Sequence, residues 1–156
     1  MDNSQLQNEL IVAWVKLSGI VKNNRITTTL KYNESIVMLT VYKRYLEDGE
    51  GLTSVQDIIK ETGMLKSLVN RTLGDLQDKG LIVYTQGTRD KRTKFVKCVK
   101  EKLDVFLQVH KTSLGVSQNV IDIIGKEDTE TFIRIVEKLS TAGYKAHPKT
   151  EKGESK

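Results

Sequence analysis

The chain has 156 residues, with 25 lysines and arginines against 20 acids, a formal charge of +5 and a hydrophobic share of 38%. That length suits one domain with a real core. No run reaches the ~18 apolar residues of a membrane span, so a soluble protein is expected. A lone cysteine, Cys98, excludes an intrachain disulfide, and the opening "MDNSQLQNEL" lacks the cationic cluster of a secretory signal; both fit a reducing cytoplasm.

In chain order, residues 4–24 set Leu6, Leu10, Ala13, Trp14, Leu17, Ile20 and Val21 at steps of three and four, which is one apolar stripe on a long helix. Asn33 is a good N-cap for a second helix that turns Ile36, Leu39, Tyr42 and Leu46 inward and stops at Gly49 and Gly51. Thr53 and Gln56 have the spacing of a capping box. They open a short helix whose Val55, Ile58 and Ile59 must pack on other elements, and Gly63 ends it.

The segment "MLKSLVNRTLGDLQDKG" predicts a helix with Leu65, Leu68, Val69, Leu73 and Leu76 inward. Lys66, Ser67, Asn70 and Arg71 then face outward near its start. Two helices joined by a short glycine turn, the second polar and basic at its exposed start, have the form of a helix-turn-helix. Beyond Gly80, "LIVYTQ" and "TKFVKCV" alternate like strands around the turn "GTRDKR". A helix-turn-helix followed by a basic hairpin is a winged helix. Between Lys60 and Lys100 lie ten cations and four acids, which leaves 15 cations and 16 acids for the rest of the chain. Such local excess is either a solvated face or the footprint of a polyanion, nucleic acid being the commonest.

A helix entering the major groove needs compact hydrogen-bonding residues at its exposed start, which Lys66, Ser67, Asn70 and Arg71 supply. In the hairpin, Arg89 or Arg92 suits a narrow minor groove, while Lys91 and Lys94 suit phosphates. Asp90 would hold the turn by pairing with Lys91 or Arg92.

The run "LVNRTLGDLQDKGLIVYTQGTRDKRTKFVKCV" resembles the winged-helix core of the MarR family of bacterial transcription regulators. The resemblance rests on Leu76, Gly80 and Leu81 at the end of the recognition helix, on Asp90 and Arg92 in the wing, and on the order of elements. The chain departs from the family pattern at "CVKEKLD", which lacks the usual threonine and glycine after the wing, and at "MLKS", which lacks a small polar cap.

Further on, Leu103, Phe106, Leu107, His110, Leu114, Val120, Ile121 and Ile124 line one face of a long helix that Gly115 could bend. After Gly125, a last helix turns Phe132, Ile135, Val136 and Leu139 inward. A winged helix cannot cover three long apolar faces, so a second copy of the chain is expected to do so. The resemblance implies dimerisation through these same terminal helices.

The expected architecture is therefore mainly α with a small β-hairpin wing. Residues 1–32 would form an N-terminal dimerisation helix, and 33–100 a winged helix-turn-helix with its recognition helix about 65–79 and wing about 81–99. Residues 101–142 would form C-terminal dimerisation helices and 143–156 a flexible tail.

The function expected is that of a cytoplasmic homodimer binding double-stranded DNA, a repressor reading a pseudo-palindromic operator. A winged-helix interaction module for protein or RNA is the alternative. Neither His110 nor His147 has a partner at catalytic or metal spacing, so no enzyme, metal or cofactor is expected. Cys98, in the outgoing wing strand, reads as a small strand residue, with redox sensing as the other option. The resemblance also implies a small-molecule effector, for which Trp14, Arg25, Tyr42, Tyr45 and His110 are candidates that packing explains equally well.

Overall fold

The computed structural model describes residues 1–23, 29–87 and 92–143. Its elements are α1 (Asn3–Asn23), α2 (Tyr32–Asp48), β1 (Thr53–Ser54), α3 (Val55–Thr62), α4 (Lys66–Asp78), β2 (Ile82–Gln86), β3 (Lys94–Cys98), α5 (Leu103–Ile124) and α6 (Lys126–Thr141). The expected tail from residue 144 onward lies outside the described residues. The chain divides into two compact units, Met1–Gly115 and Val116–Lys156.

The core of the first unit is built by α2, α3, α4, the sheet and the start of α5. Val37, Met38, Val41, Ile58, Val69, Leu73, Leu76 and Val96 are fully buried there, with Ile82, Phe106 and Val109 almost so. The inward face of α2 is not the expected one. Glu34, Ser35, Val37, Met38, Val41 and Tyr42 are buried, while Ile36 and Leu39 are only half-buried and Leu46 is exposed. "SIVMLTVYKRYL" is apolar nearly all round, so its periodicity could not select a side.

The cap of α2 also differs. Lys31, not Asn33, is the N-cap, and Glu34 closes the end by accepting the Lys31 backbone N–H at 2.9 Å. At the other end Gly49 is left-handed with φ 71°, and the Asp48 carboxylate accepts the N–H groups of Glu50 and Gly51 at 2.8 and 2.7 Å. Those backbone donors, Glu50 first, hold the Asp48 carboxyl below its usual range.

Thr53 is not a helix cap but half of a strand. Thr53 and Ser54 pair antiparallel with Val96 and Phe95, making β1 the third strand of a sheet ordered β1-β3-β2. Ser54 takes over the cap of α3, its hydroxyl oxygen accepting the Asp57 N–H at 3.0 Å. Just before β1, Gly51 has φ 65°, and a Cβ there would lie 3.2 Å from both Cys98 Sγ and Tyr45 Cβ. Glycine is required by both conformation and space.

No residue of α1 is buried; Leu6, Leu10, Ile11, Val12, Trp14, Val15, Leu17, Ile20 and Val21 are all exposed in the single chain. The helix α5 runs through Gly115 without a break. In the second unit α6, begun at Gly125 with φ 82°, exposes Phe132, Ile133, Ile135, Val136 and Leu139. Among the described residues no helix is long and apolar enough to cross a membrane.

Leu73 is fully buried at the middle of α4. Leu73→Ala is expected to lower the free energy of unfolding by about 2–5 kcal/mol, the usual range for a buried leucine truncated in a packed core. Urea denaturation of the two proteins measures it, and a loss under about 1 kcal/mol would mean that α4 is not seated as described.

Candidate nucleic-acid interface

The turn between α3 and α4 is set by a few local bonds. Gly63, at φ 66°, donates its N–H to the Ile59 carbonyl, and the Thr62 hydroxyl donates to the Ile58 carbonyl at 2.6 Å while accepting the Met64 N–H at 3.3 Å. Leu65 then serves as N-cap of α4 with no side-chain bond to the helix end, and it is 75% exposed instead of buried as expected. The first amides of α4 are therefore left without a side-chain acceptor, at the positive end of the helix dipole.

Burial of Val69, Thr72, Leu73 and Leu76 orients α4. The 3.6-residue period then turns Lys66, Ser67, Asn70 and Arg71 outward, and all four are exposed. Leu68 is half-buried at the margin.

The wing follows from a period of two. The strands pair from Ile82↔Cys98 through Tyr84↔Val96 to Gln86↔Lys94. Ile82, Cys98 and Val96 are buried, so Lys94 lies on the same inner face of the hairpin, two residues past Val96 and beyond the end of the core. That placement brings it toward α4. A cleft of about 280 Å³ is lined by Val55 and Gln56 of α3, Lys66 and Asn70 of α4, and Arg92, Thr93 and Lys94 of the wing. A shallower hollow of about 450 Å³ on the wing is lined by Tyr84, Thr85, Gln86, Arg92 and Lys94.

Lys66, Asn70, Arg92 and Lys94, far apart in sequence, thus share one concave surface, while Ser67 and Arg71 lie exposed beside it on α4. The wing positions Arg89, Asp90 and Lys91 lie outside the described residues, as does Arg25. Gln56 was missed by the sequence reading, which gave it to a capping box. Its place in the first turn of the helix before α4 was the available signal.

The candidate effector residues divide. The rings of Tyr42 and Tyr45 stack at 5.9 Å, and Tyr42 also packs against His110 at 5.4 Å and Phe106 at 6.3 Å. These form an aromatic cluster where α5 meets α2. Trp14 is exposed on α1.

A three-stranded sheet on a helix-turn-helix, with the hairpin β2–β3 projecting beside the second helix, defines a winged helix-turn-helix protein. Residues 44–93 match the model of the MarR family. The fold of the chain is similar to a MarR family transcriptional regulator from Streptomyces coelicolor solved in complex with DNA, with a TM-score of 0.74 and 13% identity over 94% of this chain and 92% of that one. It is also similar to a mutant MarR from E. coli complexed with operator DNA, with a TM-score of 0.66 and 14% identity over 88% and 96% of the two chains. The PcaV transcriptional regulator from Streptomyces coelicolor, in complex with its natural ligand, matches with a TM-score of 0.69 and 12% identity over 92% and 98%. At such identities the likeness is one of fold. No curated protein sequence matches the chain.

Cys98 is buried at the base of the wing, and burial pushes its thiol from the usual 9.0 up to about 11. A thiol kept neutral is a poor nucleophile, which favours a packing role over redox sensing. Iodoacetamide at pH 8 should modify the native protein far more slowly than the urea-unfolded chain, read by mass spectrometry. The raised value also fixes a sign: the thiol's contribution to stability is whole below about pH 9 and is lost as pH rises toward about 11, because only the unfolded chain ionises in that window.

Proposed function

We propose that the protein is a homodimeric, sequence-specific double-stranded DNA-binding regulator that represses by occupying its operator. The observation that carries this reading is the cleft where Gln56, Lys66 and Asn70 meet Arg92 and Lys94. Its α4 side offers compact hydrogen-bonding groups to base edges, and its wing side offers cations to phosphates or a narrow minor groove. Arg71 and Ser67 extend the α4 side, and Arg89 and Lys91 would extend the wing, with Asp90 steadying its turn. That two proteins of similar fold were solved in complex with DNA supports the DNA-binding reading.

Dimerisation is supported by the apolar residues left exposed on α1 and, separately, on α6. A two-fold dimer would present two copies of α4 to half-sites about 10 base pairs apart, hence a pseudo-palindrome. The role is that of a cytoplasmic binder rather than a catalyst, in keeping with the family. Effector control is part of the proposal: Tyr42, Tyr45 and His110 gather at the α2–α5 contact, Trp14 and Arg25 are further candidates, and a similar fold holds its natural ligand. A ligand there would act through unequal affinity for the DNA-competent and incompetent arrangements.

Fluorescence anisotropy with duplex from the gene's own upstream region and a scrambled duplex, across about 50–200 mM salt, tests the reading. Arg92→Ala should weaken binding to both duplexes and reduce the salt slope by about 1, while Asn70→Ala or Arg71→Ala should relax sequence preference by about 1–3 kcal/mol. Indifference of duplex binding to all three variants would favour a protein- or RNA-binding module on the same surface. Sedimentation should show a dimer, shifted toward monomer by Leu10→Glu on α1. A wild-type monomer at micromolar concentration would sink the two-fold mechanism.

A further inference from the structure

Lys79 belongs by sequence to the basic stretch, yet its ammonium is engaged inside the molecule. It lies 2.7 Å from Oε2 of Glu34, a carboxylate only 1% exposed and 45 residues away in the chain. The same oxygen accepts the Lys31 backbone N–H at 2.9 Å, and the other oxygen is buried with no partner among the described residues. A buried carboxylate so placed depends on its one cation. One turn earlier on α4, Asp75 meets Lys31 Nζ at 3.1 Å, an outer pair screened by solvent. The C-terminal end of α4, where Lys79 is the C-cap, is thus tied to the N-terminal end of α2.

That tie acts at a distance from the groove. Asn70 lies nine residues before Lys79, about 14 Å along the helix axis, so a tilt of α4 by about 10° about its fixed end would move Asn70 by about 2 Å. Base-edge hydrogen bonds do not survive such a displacement.

We infer that Glu34 and Lys79 are positioning residues that hold α4 at the angle at which it reads bases, and that Lys79 does not contact phosphate. The functional half of this rests on the DNA-binding reading above; the structural half does not.

The test uses the full chain as Lys79→Gln, Lys79→Arg, Glu34→Gln and the Glu34→Gln/Lys79→Gln double variant, with Lys94→Gln as the comparison. The probes are a duplex selected by the wild type from a random-sequence pool and its scramble. Lys79→Gln should weaken binding to the selected duplex by about tenfold, the loss of one charge-assisted bond, and leave both scramble affinity and salt slope unchanged. Lys94→Gln should instead lower the slope by about 0.9. Lys79→Arg should restore selectivity, and the double variant should be no weaker than Lys79→Gln alone. A slope reduced by about 0.9 in Lys79→Gln, with selectivity intact, would make Lys79 a phosphate contact and overturn the inference.

Glu34→Gln could unfold the chain; Lys79, whose side chain is 40% exposed, carries the test if it does. Amide hydrogen exchange of the DNA-free protein supplies an independent readout. Exchange in α4 should quicken in Lys79→Gln and not in Lys94→Gln, and unchanged exchange would overturn the tie itself. A wild type that selects no duplex would remove the DNA-binding reading, while the exchange result would still decide whether Lys79 anchors α4.

Discussion

Everything at the proposed interface depends on α4 being gripped from one side only. Val69, Thr72, Leu73 and Leu76 bury a single stripe against α2, α3 and the sheet, and the opposite stripe is thereby left for a partner. A helix buried all round could not enter a groove, and one held by fewer apolar contacts would not keep its side chains in register with a base pair. The hydrophobic effect supplies the grip without direction, and the polar bonds at the C-terminal end of α4 supply the direction.

The wing is oriented by a second constraint, the alternation of a paired strand. Because Val96 and Cys98 must face the core, Lys94 is obliged to share their side, and the hairpin register places Gln86 opposite it. Sheet and helix thus converge on one cleft from independent periodicities. The strand β1 secures the base of this arrangement by pairing with β3, and the tight approach of Gly51 to Cys98 packs the joint.

Much of this was legible in the sequence. The buried positions Val69, Leu73 and Leu76, the glycine stops and the basic hairpin all follow from periodicity and turn chemistry, because each signal is local. What escaped was decided by tertiary context. The face of α2 was ambiguous because nearly every side of its middle is apolar, and only packing against α3, α4 and β3 selected Val37, Met38 and Val41. Asn33 and Thr53 looked like caps, but Glu34 closed α2 at Lys31, two positions before Asn33, and a strand partner claimed Thr53. A two-residue strand carries no periodicity of its own. Gln56 acquired its place in the cleft only because the wing, distant in sequence, folds back over it.

The bare start of α4 bears on dynamics. Leu65 offers no oxygen to the first amides, so that turn lacks the bond that a serine or aspartate would contribute and is the end of the helix most prone to fray. A phosphate oxygen arriving there would complete the missing bonds and meet the helix dipole favourably. On the DNA-binding reading, the first turn of the recognition helix is then finished by its ligand: some of the affinity is consumed in ordering it, and contact and order arise in the same step.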